Sequence, residues 1–425
     1  MNPDKHVKNP LLLIFIVVFI DFMGLGVALP IIAPLFVGPH TVLFDHTTPH
    51  PDRTDLYGYL LASFALAQFI GAPILGAFSD RVGRRKILVF ASIINAFAFL
   101  LFAYGIIAKS LLILFASRII AGLFGSTLPV VQSALADVST PENKARNFGI
   151  VGMGFGSGFL VGAASSGVMS NPEYVSWFNM ATPFLFVAVM NIINFGFILY
   201  KLPETLKEVN PHSIQFFSAF QNIQRAYHHK KLRLIFLMIF VLTFGFSFFL
   251  QFIQVVLIKK YDYTEMQLGL FVAYFAVWVA ISQGVFLRLT SHFVAPVQVL
   301  LFSIPLFALS YYALSFPVRH EWLYALLPLL TIFQGLTFPN TLAILSNNSA
   351  DNVQGEVIGI NQSIQSLATA IPPLVGGLLM TLSPKAPMLL GCYCALLGWL
   401  IYLTFYFKNQ TSLAEDETEL KTSGN

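Results

Sequence analysis

Charge, cysteine and long polar stretches are all scarce in this chain of 425 residues. Only 10% of its residues are charged and 56% are hydrophobic, whereas a soluble domain carries about 25% charged residues. A water-soluble globule is thereby excluded. The two cysteines, Cys392 and Cys394, lie in the last apolar run. Two positions apart on a helix they do not face each other, so they read as small packing residues and not as a disulfide. No phosphate-cradling glycine loop is present, nor a Gly-x-Ser-x-Gly or His-Glu-x-x-His pattern. No polar stretch is long enough for a cytoplasmic catalytic domain. The chain is expected to be neither an enzyme nor a primary pump, and to need no cofactor. Its net charge of +4 gives no reason to expect a nucleic-acid partner, because the cations have another use.

Long apolar runs are what the sequence does have. About 20 apolar residues cross a bilayer core as a helix. Twelve such runs occur, at 11–36, 56–79, 86–107, 110–136, 146–169, 181–201, 232–258, 266–289, 295–316, 322–346, 356–381 and 386–407. With the N-terminus on the cytoplasmic side, about 17 Lys and Arg face inward and about 6 outward, the bias that sets membrane orientation. Both termini are then cytoplasmic. The first run is too long for a signal-peptide core and leads into further spans, so no cleaved leader is expected.

The longest internal polar stretch divides the runs six and six. A shift of 210 residues superimposes the two sets: Gly125 falls on Gly335, Pro129 on Pro339, Leu135 on Leu345, Ser139 on Ser349, Gly149 on Gly359 and Gly167 on Gly377. Glycine and proline mark close approach and bends in spanning helices. The expected fold is all-α, twelve transmembrane helices in two pseudo-symmetric six-helix bundles, at 1–201 and 232–408. Residues 202–231 form a cytoplasmic linker. Within it Phe216, Phe220, Ile223 and Tyr227 recur on one helical face beside Arg225, Lys230, Lys231 and Arg233, which reads as an interfacial helix. A partly disordered linker is the alternative. The acidic tail 409–425 is expected to be disordered.

One short turn is dense in charge: Gly76-Ala-Phe-Ser-Asp80-Arg81-Val-Gly83-Arg84-Arg85-Lys86. Cations are costly at a bilayer centre, so the turn lies at a surface, and its sign places it inside. It resembles the loop between helices 2 and 3 of the major facilitator superfamily, Gly-x-x-x-Asp-Arg-x-Gly-Arg-Arg, at every defining position. Arg118-Ile-Ile-Ala-Gly122, Ala136-Asp137-Val-Ser-Thr-Pro141 and Leu202-Pro203-Glu204-Thr205 resemble the drug:proton antiporter-1 group, the tetracycline-efflux-like proteins. So do Gly355-Glu-Val-Ile-Gly359 and Pro372-Pro-Leu-Val-Gly376-Gly377 in the second half. The resemblance covers residues 11–407. It implies alternating access between two bundles, protons as coupling ion, and a multi-pass protein of a bacterial inner membrane. One departure stands out. The helix 5 signature of that group ends Gly-Pro-x-x-Gly-Gly, and here Gly162-Ala163-Ala164-Ser165-Ser166-Gly167 stands in its place.

Ionisable residues inside the runs are few. Asp21 lies about 15 Å from the inner end of run 1 and Arg118 about 12 Å from the outer end of run 4, at 1.5 Å per residue. Across a core of about 30 Å these depths nearly coincide, so the two are expected to pair. A carboxylate whose partner comes and goes is a proton carrier, and the resemblance adds the same role for the helix 4 Arg. A purely structural ion pair is the alternative. Gly76, Asp80, Arg81, Gly83, Arg84, Arg85 and Asp137 are the gating candidates. Asp80 is expected to cap a helix start, and Arg84 and Arg85 to reach Asp137. Uncharged polar groups nominated for the substrate cavity are Gln68, Gln132, Gln251, Gln254, Gln283, Gln334, Asn340, Asn361, Gln362 and Gln365. With 43 Phe in the chain, an aromatic cavity suits an amphipathic molecule. The outer loop bearing His40, Asp45, His46, His50 and Asp52 lacks firm ligand spacing, so no metal site is assigned.

The expectation is a secondary transporter that acts as a monomer in the lipid bilayer and exports amphipathic small molecules against protons. A proton-linked importer of a nutrient or metal chelate is the alternative, motivated by the altered helix 5 signature and the His-bearing outer loop. A non-transporting sensor or scaffold is a third reading.

Overall fold

A computed structural model describes residues 10–38, 41, 43–44, 50–139, 144–206, 218–228, 232–316, 319–349 and 354–423. All regular structure among them is helical. Twelve helices are long and apolar enough to cross a membrane. Spans 1 to 6 are Leu11–Val37, Arg53–Val82, Arg84–Ile107, Leu111–Asp137, Val151–Met169 and Thr182–Lys201. Spans 7 to 12 are Arg233–Tyr261, Glu265–Phe293, Pro296–Leu314, Glu321–Asn347, Gly359–Met380 and Ala386–Phe407. Each matches an apolar run of the sequence. Exposed large side chains such as Phe97, Tyr104, Leu112, Phe302 and Leu400 cover the outer faces, as lipid contact requires and water would not tolerate.

Chain reversals between spans are tight. Spans 2 and 3 are separated by Gly83 alone, whose φ of 110° is open to glycine and strained for any other residue. Span 4 is not one helix. It runs Leu111–Phe124, breaks at Gly125-Ser126-Thr127, and resumes as Leu128–Asp137 with Pro129 in its first turn. Span 8 contains one π-helical turn, Ser282–Phe286.

The repeat is visible in the packing. Span 3 packs on spans 4 and 6, and span 9 packs on spans 10 and 12. Asn194 of span 6 donates to Ser92 of span 3 at 3.4 Å. In the second half Thr337 of span 10 donates to Ser303 of span 9 at 3.0 Å, and Trp399 of span 12 to the Leu301 carbonyl of span 9 at 3.2 Å. Spans 1 and 5 meet through small residues: a Cβ on Gly158 would stand 2.1 Å from the Phe19 carbonyl, and one on Gly162 would stand 2.2 Å from that of Met23. Only glycine permits that approach.

The chain forms two compact units. The first holds Met1–Ala219 with Leu250–Ala280 and Thr369–Pro384, the outer parts of spans 7, 8 and 11. The second holds Phe220–Phe249, Ile281–Ala368 and Lys385–Asn425. The linker contains a helix, Ser218–His228. Its Asn222 donates to Ser363 of span 11 at 3.1 Å, Ala226 is buried, and Tyr227 is exposed. Phe216 lies outside the described residues.

Candidate functional site

Asp21 sits in the middle of span 1 against the break in span 4. The break frees Thr127 from regular helix, and its hydroxyl donates to Asp21 Oδ2. The opposite oxygen, Oδ1, is buried with no partner. Two further bonds hold the break open. Asn95 of span 3 donates to the Gly125 carbonyl at 3.2 Å, and Ser126 to that of Gly122 at 2.9 Å. Gly125 is required here, because a Cβ would stand 1.9 Å from Asn95 Oδ1.

The expected Asp21–Arg118 pair does not form. Arg118 is 5% exposed and lies over two rings of the first half, 4.2 Å from the centroid of Phe102 and 5.6 Å from that of Phe99. Its Nε and Nη2 have no hydrogen-bond acceptor. Nine residues separate Arg118 from Thr127, about 13 Å along a helix. Asp21 is level with Thr127, so counting in from the ends of the spans misjudged the relative depth. Ring faces supply the attraction that the carboxylate does not.

At the inner surface the charged turn forms one network. Arg84 is the centre: it pairs with Asp80, bonds Asp137 Oδ2 through Nε at 3.2 Å, and donates from Nη1 to Ser79 at 2.6 Å. The Arg84–Asp137 contact joins span 3 to the inner end of span 4 as expected. Arg85 turns elsewhere, donating to the Leu199 carbonyl of span 6. Asp80 does not cap a helix start, because it lies in the last turn of span 2. The group at the start of span 3 is Glu204, whose Oε1 accepts from the backbone N–H of Arg84 at 2.8 Å. The same oxygen accepts from the N–H groups of Thr205 and Leu206, each at 3.1 Å. A negative group at a helix N-terminus is favourable. Glu204 belongs to the Leu-Pro-Glu-Thr stretch, but nothing in the sequence ties it to a residue 120 positions away. Gly76 meets Pro129 of span 4 at ordinary contact distance, 3.8 Å from an added Cβ. Arg81 lies in the last turn of span 2.

Comparison with known proteins places this arrangement. The sequence model of the Major Facilitator Superfamily matches residues 11–373 and 235–422. The chain belongs to that superfamily. Among its relatives is the class C tetracycline resistance protein of Escherichia coli, 28% identical over 371 residues, 87% of this chain and 89% of that one. Multidrug resistance protein 2 of Bacillus subtilis is 25% identical over 413 residues, 92% of this chain and 94% of its own. The crystal structure of the human organic anion transporter MFSD10 superposes with a TM-score of 0.72 at 19% identity, covering 94% of this chain and all of that one. The last likeness speaks for the fold.

As a superfamily transporter the chain is a multi-pass membrane protein that carries small molecules, and within its first unit spans 2, 7 and 11 lie in close contact. Tyr57 of span 2 donates to the Gln251 carbonyl of span 7. Lys259 donates to Thr54 at 2.7 Å. Gly58 lies so close to span 11 that a Cβ would be 2.2 Å from the Pro373 carbonyl. In the altered helix 5 signature Ala163 and Ser166 are both fully buried, and Ser166 bonds the Ala163 carbonyl at 2.8 Å. A Cβ on Gly269 of span 8 would stand 2.8 Å from that carbonyl.

The nominated amides are scattered. Gln68 and Gln132 are half-buried in spans 2 and 4, and Gln251 donates to the Thr369 carbonyl at 3.2 Å. Gln254 is buried, its Oε1 without a partner. Gln283 lies in the π turn, and Gln334 Oε1 is buried and unpartnered. Asn340 bonds the Leu336 carbonyl of its own helix at 2.7 Å. Gln362 is half-buried. Asn361 and Gln365 alone among the ten line a described cleft, with Ile239, Leu242, Phe338 and Thr341. Of the outer-loop residues, His40, Asp45 and His46 and the side chains of His50 and Asp52 lie outside the described set.

Proposed function

We propose that this transporter is a proton-coupled exporter of amphipathic small molecules, with Asp21 as its proton carrier. The observation that carries the reading is the setting of Asp21. Its carboxyl group is met by one hydroxyl, and a hydroxyl serves either protonation state, donating to a carboxylate or accepting from an acid. The second oxygen has no protein partner, so nothing locks the group as an ion. Arg118, held by Phe99 and Phe102 with two nitrogens unpaired, is the latent counter-charge. The break at Gly125–Thr127 separates the stretch of span 4 that bears Arg118 from the stretch that meets Asp21. Bending there would bring cation and carboxylate together and favour release of the proton, because a buried charge costs less beside an opposite charge than alone. The Arg84 network then acts as the inner latch, remade and broken with each cycle. Relatives named for tetracycline and multidrug resistance support export and an amphipathic substrate.

The test uses the purified protein in liposomes with an imposed pH gradient and two probes, tetracycline and ethidium. Inside-out vesicles with an acidic lumen should accumulate a probe, and a protonophore should abolish the accumulation. Accumulation confined to right-side-out vesicles with acid outside would instead make the protein an importer.

A further inference from the structure

Spans 1, 3 and 6 meet in layers that can be followed residue by residue. Phe102 of span 3 faces Phe184 of span 6, with ring centroids 4.4 Å apart. Three residues along each span, Phe99 and Val187 share a neighbour in span 1: a Cβ on Gly24 would stand 2.6 Å from Phe99 Cζ and 3.4 Å from Val187 Cγ1. Two turns beyond, Asn194 donates to Ser92 at 3.4 Å. The register of spans 3 and 6 is constant over this length. One turn from the Gly24 layer toward Ser92, it sets Asn95 opposite Asn191, and span 1 brings Asp21 to the same level.

Asn191 is fully buried. Its Nδ2 donates to the Val187 carbonyl at 3.0 Å. A carbonyl only accepts, so that bond decides which end of the amide is which. Asn191 Oδ1 is then a buried acceptor without a donor, and so is Asp21 Oδ1. Each such oxygen costs stability. The second half has neither group. Span 7, the counterpart of span 1, carries no carboxylate, and span 12, the counterpart of span 6, carries no Asn or Gln. The acid and the amide occur together in one half and are absent together from the other, so packing alone does not require them.

We propose that Asn191 is the positioning residue for the proton on Asp21: the acid form carries its hydrogen on Oδ1 and donates it to Asn191 Oδ1, while Oδ2 continues to accept from Thr127. One hydrogen then satisfies two buried oxygens. The carboxylate form has no such partner, which leaves its charge to Arg118. Among the described residues, Arg118 is the one other ionisable group that the spans packed on span 1 carry away from their ends. Those of spans 2 and 6, and Asp137 of span 4, lie in first or last turns, and span 5 has none. The inference rests on the reading of Asp21 as proton carrier and names what holds the proton there.

Infrared difference spectra of the full chain in liposomes, acid minus alkaline, test this. The carbonyl band of protonated Asp21 is the one that Asp21→Asn removes. In Asn191→Leu it should move to higher frequency, because an acid that loses a hydrogen bond has a stiffer carbonyl. The pH at which it is half-grown should fall by about one unit, the value of one hydrogen bond. Asn194→Leu, whose amide serves Ser92, should move neither, as would be true of Asn191 if its role were packing alone. If Asn191→Leu fails to fold, the parent grown with asparagine labelled by heavy carbon at its side-chain carbonyl replaces it. Its difference spectrum should contain an amide carbonyl band that moves with the label. An Asp21 band that stays in place in Asn191→Leu, or a parent spectrum without a label-sensitive band, overturns this inference and leaves the proton carrier standing. No Asp21 band at all overturns both.

Discussion

Spans 4 and 10 are copies of one design that have diverged in what they do. Both carry Gly, Thr and Pro in register, Gly125, Thr127 and Pro129 in one and Gly335, Thr337 and Pro339 in the other. Span 10 is a continuous helix through all three, Glu321–Asn347. Span 4 breaks at Gly125. Two side chains differ: Ser126, which bonds the Gly122 carbonyl, is Leu336 in span 10, and the other is a neighbour. Asn95 of span 3 bonds the Gly125 carbonyl, while the residue 210 further on is Pro305, which has no side-chain donor. The two threonines have changed partners as well: Thr127 serves the ionisable Asp21, Thr337 the neutral Ser303. The first half holds a buried carboxyl group and a buried guanidinium that do not meet. The other half keeps the frame and offers neutral hydrogen bonds. The shared Gly, Thr and Pro thus sit in a broken or an unbroken helix according to Asn95 and Ser126, which the second half replaces with Pro305 and Leu336.

The sharpest way to break the comparison is at the inner surface. Arg84→Ala removes bonds to Asp80, Asp137 and Ser79 and should cost about 3 kcal/mol, read as a large fall in melting temperature. Arg288→Ala, at an exposed site near the inner end of span 8, should change stability by less than about 0.5 kcal/mol. Equal losses would show that the charged network is not what distinguishes the halves. Next in size is the threonine pair. Thr127→Val should slow gradient-driven transport about tenfold, or about 1.4 kcal/mol, because Asp21 loses its one partner. Thr337→Val should leave transport intact and cost about 1 kcal/mol of stability. Initial rates in proteoliposomes beside thermal unfolding separate the two. A loss like that of Thr337→Val is expected of Glu204→Ala, about 1 kcal/mol for a lost helix-end acceptor, with Glu204→Gln nearer the parent in the same unfolding assay.

The spans were legible because a bilayer imposes length and apolarity residue by residue. The Arg84–Asp137 contact was legible because short turns leave long side chains few carboxylates to reach. Three things were not. The break in span 4 depends on Asn95 and Ser126, while its Gly, Thr and Pro recur unbroken in span 10. The role of Glu204 is a bond to a backbone N–H, which no side-chain pattern announces. The placement of Arg118 over Phe99 and Phe102 was hidden because a cation in an apolar run suggests a carboxylate partner first, and in a chain with 43 Phe no ring singles itself out. Among the amides of spans 7 to 11, Asn340 bonds its own helix and Gln251 bonds span 11, a division that only geometry shows.

The central claim is that Asp21 carries the proton and not the substrate, and one experiment divides those roles. Asp21→Asn should be reconstituted beside the parent, and ethidium movement measured both under a pH gradient and as exchange at equal pH. The account predicts that gradient-driven accumulation falls to the level of empty liposomes while equal-pH exchange persists near the parental rate, since Asn keeps the bond to Thr127 and loses only the titration. Undiminished gradient-driven accumulation in Asp21→Asn would contradict it.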